Sequence, residues 1–418
     1  MAHLSCGIDF GTSNSSIAIA EGDTVSLVPV EDVQVTKPSA IFFQKKDNAA
    51  SFGRAAVKMF FDRHEGRFMR SLKRVLGTSL MKQGTLVNGK LMKFDRIIAL
   101  FLKELRNKAH QHTSREIDNV VMGRPVHFVD HDPEADRRAE DELRTIAEMV
   151  GFKHVAFQFE PIAAAFAHEV NIKGEKLAIV ADLGGGTSDF TVIRLSDQYL
   201  GRADRSSDIL ANTGVRVGGN DLDKDLSLEV ILPEFGYRST YGDKKLEVPL
   251  KLYHDLAEWS KVNFLYTPKI VSQTRQLLIQ SHDKIKFRRL LQVLETETGH
   301  SLLAAAEDTK IALTAQERYD ASFGFVEDGL LIPVTRGQFE DAVQHEVEKI
   351  SNAAAQCLKQ AMISNDDIEL VILTGGTTEV PLVQQTFRQI FPKAALADEN
   401  KLSSVGLGLA YDSRKKFA

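Results

Sequence analysis

The feature that most constrains the fold is a pattern that occurs twice. Residues 7–19 read GIDFGTSNSSIAI and residues 181–193 read ADLGGGTSDFTVI. Each is an apolar run, an Asp, a glycine-bearing turn containing Thr-Ser or Thr followed by Ser, and a second apolar run. Apolar runs broken by such a turn read as β-hairpins, the first continuing into a meander of three strands. A unit recurring at this separation predicts two lobes built on one plan. The length of 418 residues agrees, being too great for one ordinary core. Apolar residues at helical spacing predict helices over 94–112, 133–151, 160–170 and 335–361, the last opened by a capping box of Thr335 and Gln338. A strand follows over 368–376. Strands mixed with helices in two similar halves predict an α/β protein.

Bulk properties remove several function classes. The formal net charge of −5 gives no global basic surface, so nucleic acid is not expected as a partner. Cys6 and Cys357 are the only cysteines, too few for a disulfide scaffold and consistent with a reducing compartment. The N-terminus lacks a basic segment followed by an apolar core, and no apolar run approaches membrane-spanning length. A cytoplasmic protein with no membrane partner is the expectation.

The turns suggest the chemistry. Backbone N–H groups in a glycine-rich turn can wrap a phosphate, because no Cβ holds the anion away. Gly184, Gly185 and Gly186 would do this in one hairpin, and Gly11, Thr12 and Ser13 in the other, with the Thr187 hydroxyl as a further donor. A carboxylate beside phosphate repels it unless a cation intervenes. Asp9 and Asp182 at the strand ends, and Asp189 across the second turn, therefore make sense with Mg2+ and its waters. A tight β-turn alone would explain either hairpin taken singly; the matched pair is better explained as a clamp on a nucleotide triphosphate.

Two further glycine-rich sites stand beside strand or helix ends: VGGNDLD, with Gly218 and Gly219, and LTGGTTEVP, with Gly375, Gly376 and Thr377. A turn at the carboxyl end of a strand is where an open α/β sheet receives ligands. Two other matches are decoys. GTLVNGKL (84–91) has Leu91 where a phosphate-binding loop needs a hydroxyl, and reads instead as a hairpin with Asn88-Gly89 at its tip. GLGLAY (406–411) lacks the third glycine of a dinucleotide fingerprint and is expected to serve helix packing.

The order of motifs GIDFGTSNS, SLKRVLG, EPIAAAFA, ADLGGGTSDF, VGGNDLD, AAEDTKIALT and LTGGTTEVP resembles the nucleotide-binding region of DnaK-type heat-shock chaperones, from near residue 4 to near residue 410. The resemblance implies the actin-like ATPase fold: two lobes with duplicated ribonuclease H-like cores around a nucleotide cleft. Lobe I would comprise 1–177 plus 396–418, with 38–113 as its outer subdomain; lobe II would comprise 178–395, with 219–313 as an enlarged outer subdomain. It further implies ATP/ADP and Mg2+ as cofactors. Asp9 and Asp182 match the carboxylates that hold the metal through water. Lys73 matches the lysine that reaches the γ-phosphate and the attacking water, Glu160 the glutamate that orients that water, and Asp189 a carboxylate near it; Thr187 joins them in the catalytic set. Pro125 resembles a proline proposed to switch between nucleotide states. Gly218, Gly219, Glu307, Lys310, Gly375, Gly376 and Thr377 match the adenosine-binding elements. Read from spacing alone, Glu307 and Lys310 would be an ion pair one helical turn apart.

The chain also departs from the family. Glu379 stands where an Arg usually lies over adenine, and a carboxylate cannot stack as a planar cation does, which leaves adenine affinity and base choice open. The stretch from Asp221 to Glu307 is longer than the family's; its Tyr253, Trp259, Phe264 and Tyr266 are expected to fill an enlarged subdomain rather than form a partner surface. GLAYDSRKKFA is followed by neither the acidic-apolar linker nor the peptide-binding domain of full-length chaperones in this sequence, so the expectation is a member resembling the short YegD-like branch. The expected function is a monomeric, ATP-binding, slowly hydrolysing chaperone-like protein of the stress response, whose nucleotide state sets lobe closure and engagement of a client or co-chaperone. A small-molecule kinase of the same superfamily, a nucleotide-sensing scaffold with little turnover, and a filament former are the alternatives.

Overall fold

A computed structural model describes residues 4–62, 64–129, 132–169, 172–199, 202, 205–259, 261–397 and 403–417. The chain divides into two compact units: Met1–Gly218 with Lys349–Thr378 and Val383–Ala418, and Gly219–Glu348 with Glu379–Leu382.

Two large sheets lie in the first unit, besides a three-stranded sheet (Ala40–Gln44, Ala50–Phe52 and Gly66–Arg70) and a short hairpin. One contains β1 (Leu4–Phe10), β2 (Asn14–Glu21), β3 (Thr24–Leu27), β4 (Asn119–Arg124) and β5 (His154–Phe159), in the order β5-β4-β1-β2-β3, with the short strand Thr36–Pro38 also paired to β2. The other contains β6 (Glu175–Leu183), β7 (Ser188–Ser196), β8 (Ile209–Val215), β9 (Leu370–Thr374) and β10 (Ala395–Ala397), in the order β8-β7-β6-β9-β10. The senses also match: β1 and β6 each pair antiparallel with the strand that follows and parallel with a strand far along the chain. The repeated hairpin pattern is thus the visible part of a duplicated five-strand arrangement. The central strands are buried almost throughout, which is why they read as apolar runs rather than as alternation.

Helices cover the sheets. The first expected helix runs Phe94–Thr113, buries Ile97, Ile98, Phe101, Leu102 and Leu105 on one face, and belongs to the core beneath β1 and β2. Pro133–Met149 starts with Asp132 accepting the Ala135 N–H, and its Pro sits in the first turn, where no N–H is needed. Glu160–Glu169 and Ser404–Lys416 pack backbone to backbone: a Cβ on Gly408 would lie 1.6 Å from the Ala163 carbonyl oxygen. A Cβ on Gly7 in β1 would lie 2.4 Å from the Ala410 nitrogen. GLGLAY therefore serves helix packing, as expected. The strands Thr85–Val87 and Lys90–Met92 are joined at Asn88 (φ 49°) and Gly89 (φ 81°), so the apparent phosphate loop at 84–91 is a hairpin.

The second unit is mainly helical. Its core includes Leu256, Phe287, Leu290, Phe323 and Phe339. Of the aromatic residues expected to fill it, Tyr253 is fully buried and donates to the Phe235 carbonyl at 3.1 Å, while the Tyr266 hydroxyl accepts the Gly299 N–H at 3.0 Å. Trp259 packs against His300. Phe264 does not fit the expectation, being 74% exposed at the end of a short helical turn that buries Val262 and Leu265 instead. Helix Arg336–Ala361 is opened by the foreseen box: the Thr335 N–H donates to Gln338 Oε1 at 3.0 Å, and the Gln338 N–H returns to Thr335 Oγ1 at 3.3 Å.

Candidate functional site

Strand pairing sets the two turns in one register. Asp9 lies opposite Ser16 in β1–β2, and Asp182 lies opposite Asp189 in β6–β7. One pocket of about 640 Å³, its open mouth included, is lined by both turns: Asp9, Gly11, Thr12 and Ser13 from the first, Asp182, Gly184, Gly185 and Thr187 from the second. Lys73, Glu160, Gly375 and Gly376 complete the expected set on its wall.

Other expected residues of the first unit lie in or against the second turn and β6. Gly186 lines an adjoining pocket. Gly218 backs the triple-glycine turn so closely that a Cβ would lie 2.5 Å from the Gly186 nitrogen. Gly375 has φ +86° and presses on β6, where a Cβ would lie 2.3 Å from the Leu183 carbonyl oxygen. The Thr377 hydroxyl donates to the Gly184 carbonyl at 2.8 Å. In the second unit, Gly219 opens the helix Gly219–Leu226, and Glu307 and Lys310 lie on Gly299–Ala315. Lys310 bonds to Asp223 at 2.8 Å and to the Gly219 carbonyl at 3.2 Å.

Local structure explains how the charged groups arrive. Lys73 lies on the helical turn Leu72–Val75, entered through Ser71 in a left-handed conformation (φ 59°). Glu160 is the first residue of the helix that follows β5. Gly123 on β4 leaves room for it, since a Cβ there would come within 3.1 Å of Glu160 Cγ. Lys73 and Glu160 are both buried and form an ion pair. Burial opposes the charge of Lys73, but Glu160, Asp9 and Asp182 outweigh it and raise the ammonium above its ordinary value.

The acids are held the other way. Burial pushes the Asp9 carboxyl well up, Glu160 and Asp182 push it further, and Lys73 opposes them. Asp182 is raised well above the usual range by burial, then by Glu160 and Asp189. Asp189 sits behind the turn, 2% exposed, and is pushed up to about 7 by burial and Glu160, even though it accepts the Val126 N–H at 3.0 Å and a bond from Thr187. Three carboxylates line the pocket against one ammonium. Protons or a cation must balance such a set. Hard carboxylate oxygens beside hydroxyls and open backbone suit Mg2+ with retained waters.

Two glycines of the second turn are not explained by crowding. Gly184 and Gly186 are outside the left-handed region, and a Cβ on them would meet nothing nearer than 3.5 Å and 3.4 Å, ordinary contacts. Packing does not require these two to be bare, and within the turn the Gly184 N–H donates to the Thr187 carbonyl at 2.9 Å. Several lining residues were not singled out from the sequence: Asn14, Ser15, Thr374 and Val405. Thr374 had a signal, since it precedes the Gly-Gly of LTGG and pairs with Asp182 across β6–β9. Val405 and the Val126 N–H had none, because only the tertiary fold brings them to the site.

A family model described as "Hsp70 protein" matches residues 5–264 and 281–413. The chain is 27% identical over 407 residues to the "Chaperone protein DnaK" of Thermosipho melanesiensis (strain DSM 12029 / CIP 104789 / BI429), covering 97% of this chain and 58% of that protein. The identity and coverage are the same for the "Chaperone protein DnaK" of Thermosipho africanus (strain TCF52B). The chain thus spans 58% of the length of these curated relatives.

Proposed function

The chain belongs to the Hsp70 family, and from that premise we propose that it binds ATP with Mg2+ in the pocket between the two hairpins and hydrolyses it slowly to ADP and phosphate. The family's actin-like ATPase fold accounts for the duplicated sheets. The observation that carries the proposal is the buried Lys73–Glu160 pair set among Asp9, Asp182 and two open glycine turns. Mg2+ would be held through its waters by Asp9 and Asp182, and when bound it supplies the positive charge that lets phosphates approach carboxylates. Lys73 places its ammonium where charge gathers on the transferred phosphoryl group. Glu160 holds Lys73 in place and orients the attacking water. Asp189, near neutrality in its affinity for a proton, accepts one from that water. Gly218, Gly219, Glu307, Lys310 and Gly375 to Thr377 are assigned to the nucleoside end.

The output of this chemistry is conformational. Lobe I (1–177 with 396–418, its outer part 38–113) and lobe II (178–395, its outer part 219–313) would close according to nucleotide state, since one hairpin from each grips the same phosphates. That signal would be read by a client or co-chaperone, with the protein acting as a cytoplasmic monomer in the stress response. Among the described residues no helix is long and apolar enough to cross a membrane. Isothermal titration with ATP, ADP and GTP in Mg2+ tests the reading: ATP and ADP should bind, and failure of every nucleotide would overturn it. Single-turnover hydrolysis without any added acceptor separates it from a small-molecule kinase.

A further inference from the structure

The second unit brings together three side chains that the nucleotide reading leaves unused. Asp225 lies near the end of the helix Gly219–Leu226, and His345 and Glu346 lie on the long helix Arg336–Ala361. Each offers one ligating atom, and the three atoms lie within 4.8 Å of one another. His345 Nε2 is the hub, 3.1 Å from Glu346 Oε1 and 3.5 Å from Asp225 Oδ2. Glu346 is buried, the Asp225 side chain is 15% exposed, and His345 is open to solvent. The helix that carries Asp225 runs directly into a π-helical turn, Ser227–Ile231, a wide turn of the kind that recurs at functional sites.

A simple imidazole–carboxylate bridge accounts for His345 and Glu346 and leaves Asp225 unexplained. Its Oδ2 is buried and accepts no hydrogen bond among the described residues. Burial pushes this carboxyl up to about 6, with Glu346 and Asp221 raising it against His345 and Lys224. A buried carboxylate oxygen that meets no donor is costly, and a cation removes the cost. The spacing suits one. A tetrahedral zinc ion bonded at roughly 2.0–2.2 Å holds its ligand atoms about 3.3–3.6 Å apart. The two separations from His345 Nε2 are close to that spacing, and the remaining edge lies within 4.8 Å. One imidazole with two carboxylates is a mixed nitrogen and oxygen set, which favours Zn2+ over the oxygen-seeking Mg2+ and Ca2+.

We propose that Asp225, His345 and Glu346 form a binding site for a divalent transition ion, Zn2+ by the chemistry of its ligands, with water reaching the fourth position beside exposed His345. The ion would pin the helix Gly219–Leu226 to the helix Arg336–Ala361. Both partners of Lys310, the Gly219 carbonyl and Asp223, stand on the pinned helix, so the metal would steady that contact as well. The site does not depend on the ATPase reading, because none of its residues lines the pocket between the hairpins.

The test is equilibrium dialysis of the full chain, without nucleotide, against Zn2+ in excess Mg2+. One Zn2+ per chain should bind. Loss of even an outer partner of a metal ligand weakens binding by roughly tenfold or more, so His345→Ala and Asp225→Asn should each do at least that. Bound Zn2+ should raise the thermal midpoint of the wild type and leave those of the two variants in place. Asp182→Asn, which removes a carboxylate from the pocket between the hairpins, should leave Zn2+ affinity unchanged. His345 is exposed, so its variant reports on the site even where Asp225→Asn does not fold. Absence of Zn2+ binding to the wild type, affinity that persists unchanged in His345→Ala, or affinity lost in Asp182→Asn instead would overturn the site.

Discussion

In the first hairpin Asp9 faces Ser16 across the strands, and in the second Asp182 faces Asp189. The turns between them are the same length, yet FGTSNS is rich in side chains and LGGGTS is nearly bare. Gly11 is required by its neighbours, since a Cβ would lie 2.1 Å from the Asn14 carbonyl oxygen. Gly184 and Gly186 have room for one. Packing accounts for the glycine of the first turn and not for these two, which the proposed function assigns to phosphate. The opposing residues differ in the same sense: Ser16 is a buried hydroxyl, whereas Asp189 is a buried acid close to neutral titration. The two hairpins share one register, and the proposed proton chemistry falls to the second.

Lys73 links the two hairpins electrostatically, because Asp9 from one and Asp182 from the other both act on it. Lys73→Ala should lower single-turnover hydrolysis by about 100-fold or more, while removing the only ammonium from a set of buried acids. Equal rates in the two proteins would take Lys73 out of the mechanism and leave the hairpins as binding elements alone. The unliganded variant should also be more stable at acid than at neutral pH, since the raised Asp9 and Asp182 carboxyls then lose the cation that opposes their rise.

The contrast between Ser16 and Asp189 can be read from the pH dependence of stability without metal or nucleotide. The Asp189 carboxyl moves from 3.8 to about 7 on folding, chiefly through burial and then Glu160. A raised carboxyl contributes its full share of stability below the unfolded value, and that share is lost as pH rises through the folded value. Wild-type protein in chelator should therefore weaken between pH 4 and 7, and Asp9 and Asp182 act in the same direction. Asp189→Asn should flatten its part of that slope, worth a few kcal/mol at roughly 1.4 kcal/mol per unit. Urea midpoints across this range check it. Identical slopes would show that Asp189 is ionised in the folded protein without cost. Adding Mg2+ should raise the wild-type midpoint more at pH 8 than at pH 5.

Glycine-to-alanine exchanges sharpen the comparison of the turns. Gly11→Ala should destabilise the free protein by about 1–3 kcal/mol, as forced overpacking does. Gly184→Ala and Gly186→Ala should leave stability unchanged or raise it by up to about 1 kcal/mol, yet weaken ATP binding. Thermal midpoints paired with nucleotide titration separate the two outcomes. A Gly184→Ala protein that binds ATP like wild type would remove the phosphate-wrapping role from that residue.

Much of this was legible because it is local. The hairpins, the Asn88-Gly89 turn, the Thr335–Gln338 box and the packing role of GLGLAY each rest on residues close in sequence. The placement of Lys73 was not local; without the resemblance it reads as one cation between Arg70 and Arg74, and only burial beside Glu160 distinguishes it. Lys310 shows the limit of spacing arguments. Helical periodicity puts Glu307 on its face, yet its ion-pair partner is Asp223, from a different helix. Asp225 and His345 could not be associated from the sequence at all, since the helices Gly219–Leu226 and Arg336–Ala361 meet only in the folded unit.

The smallest expected effect tests the silent corner of the comparison. Ser16 is 1% exposed, and among the described residues its hydroxyl finds no hydrogen-bond partner. Gly406 is held against it, for a Cβ there would lie 2.4 Å from Ser16 Oγ. A buried hydroxyl that bonds to nothing costs about 1 kcal/mol or more. Ser16→Ala should therefore stabilise the protein by about 1 kcal/mol with an unchanged denaturant slope. ATP affinity and hydrolysis should stay at wild-type values, because the residue faces helix Ser404–Lys416 rather than the pocket. Loss of activity comparable to that of Asp189→Asn would mean that the position opposite the metal-side Asp does the same task in both hairpins, and the division of labour between them would fail.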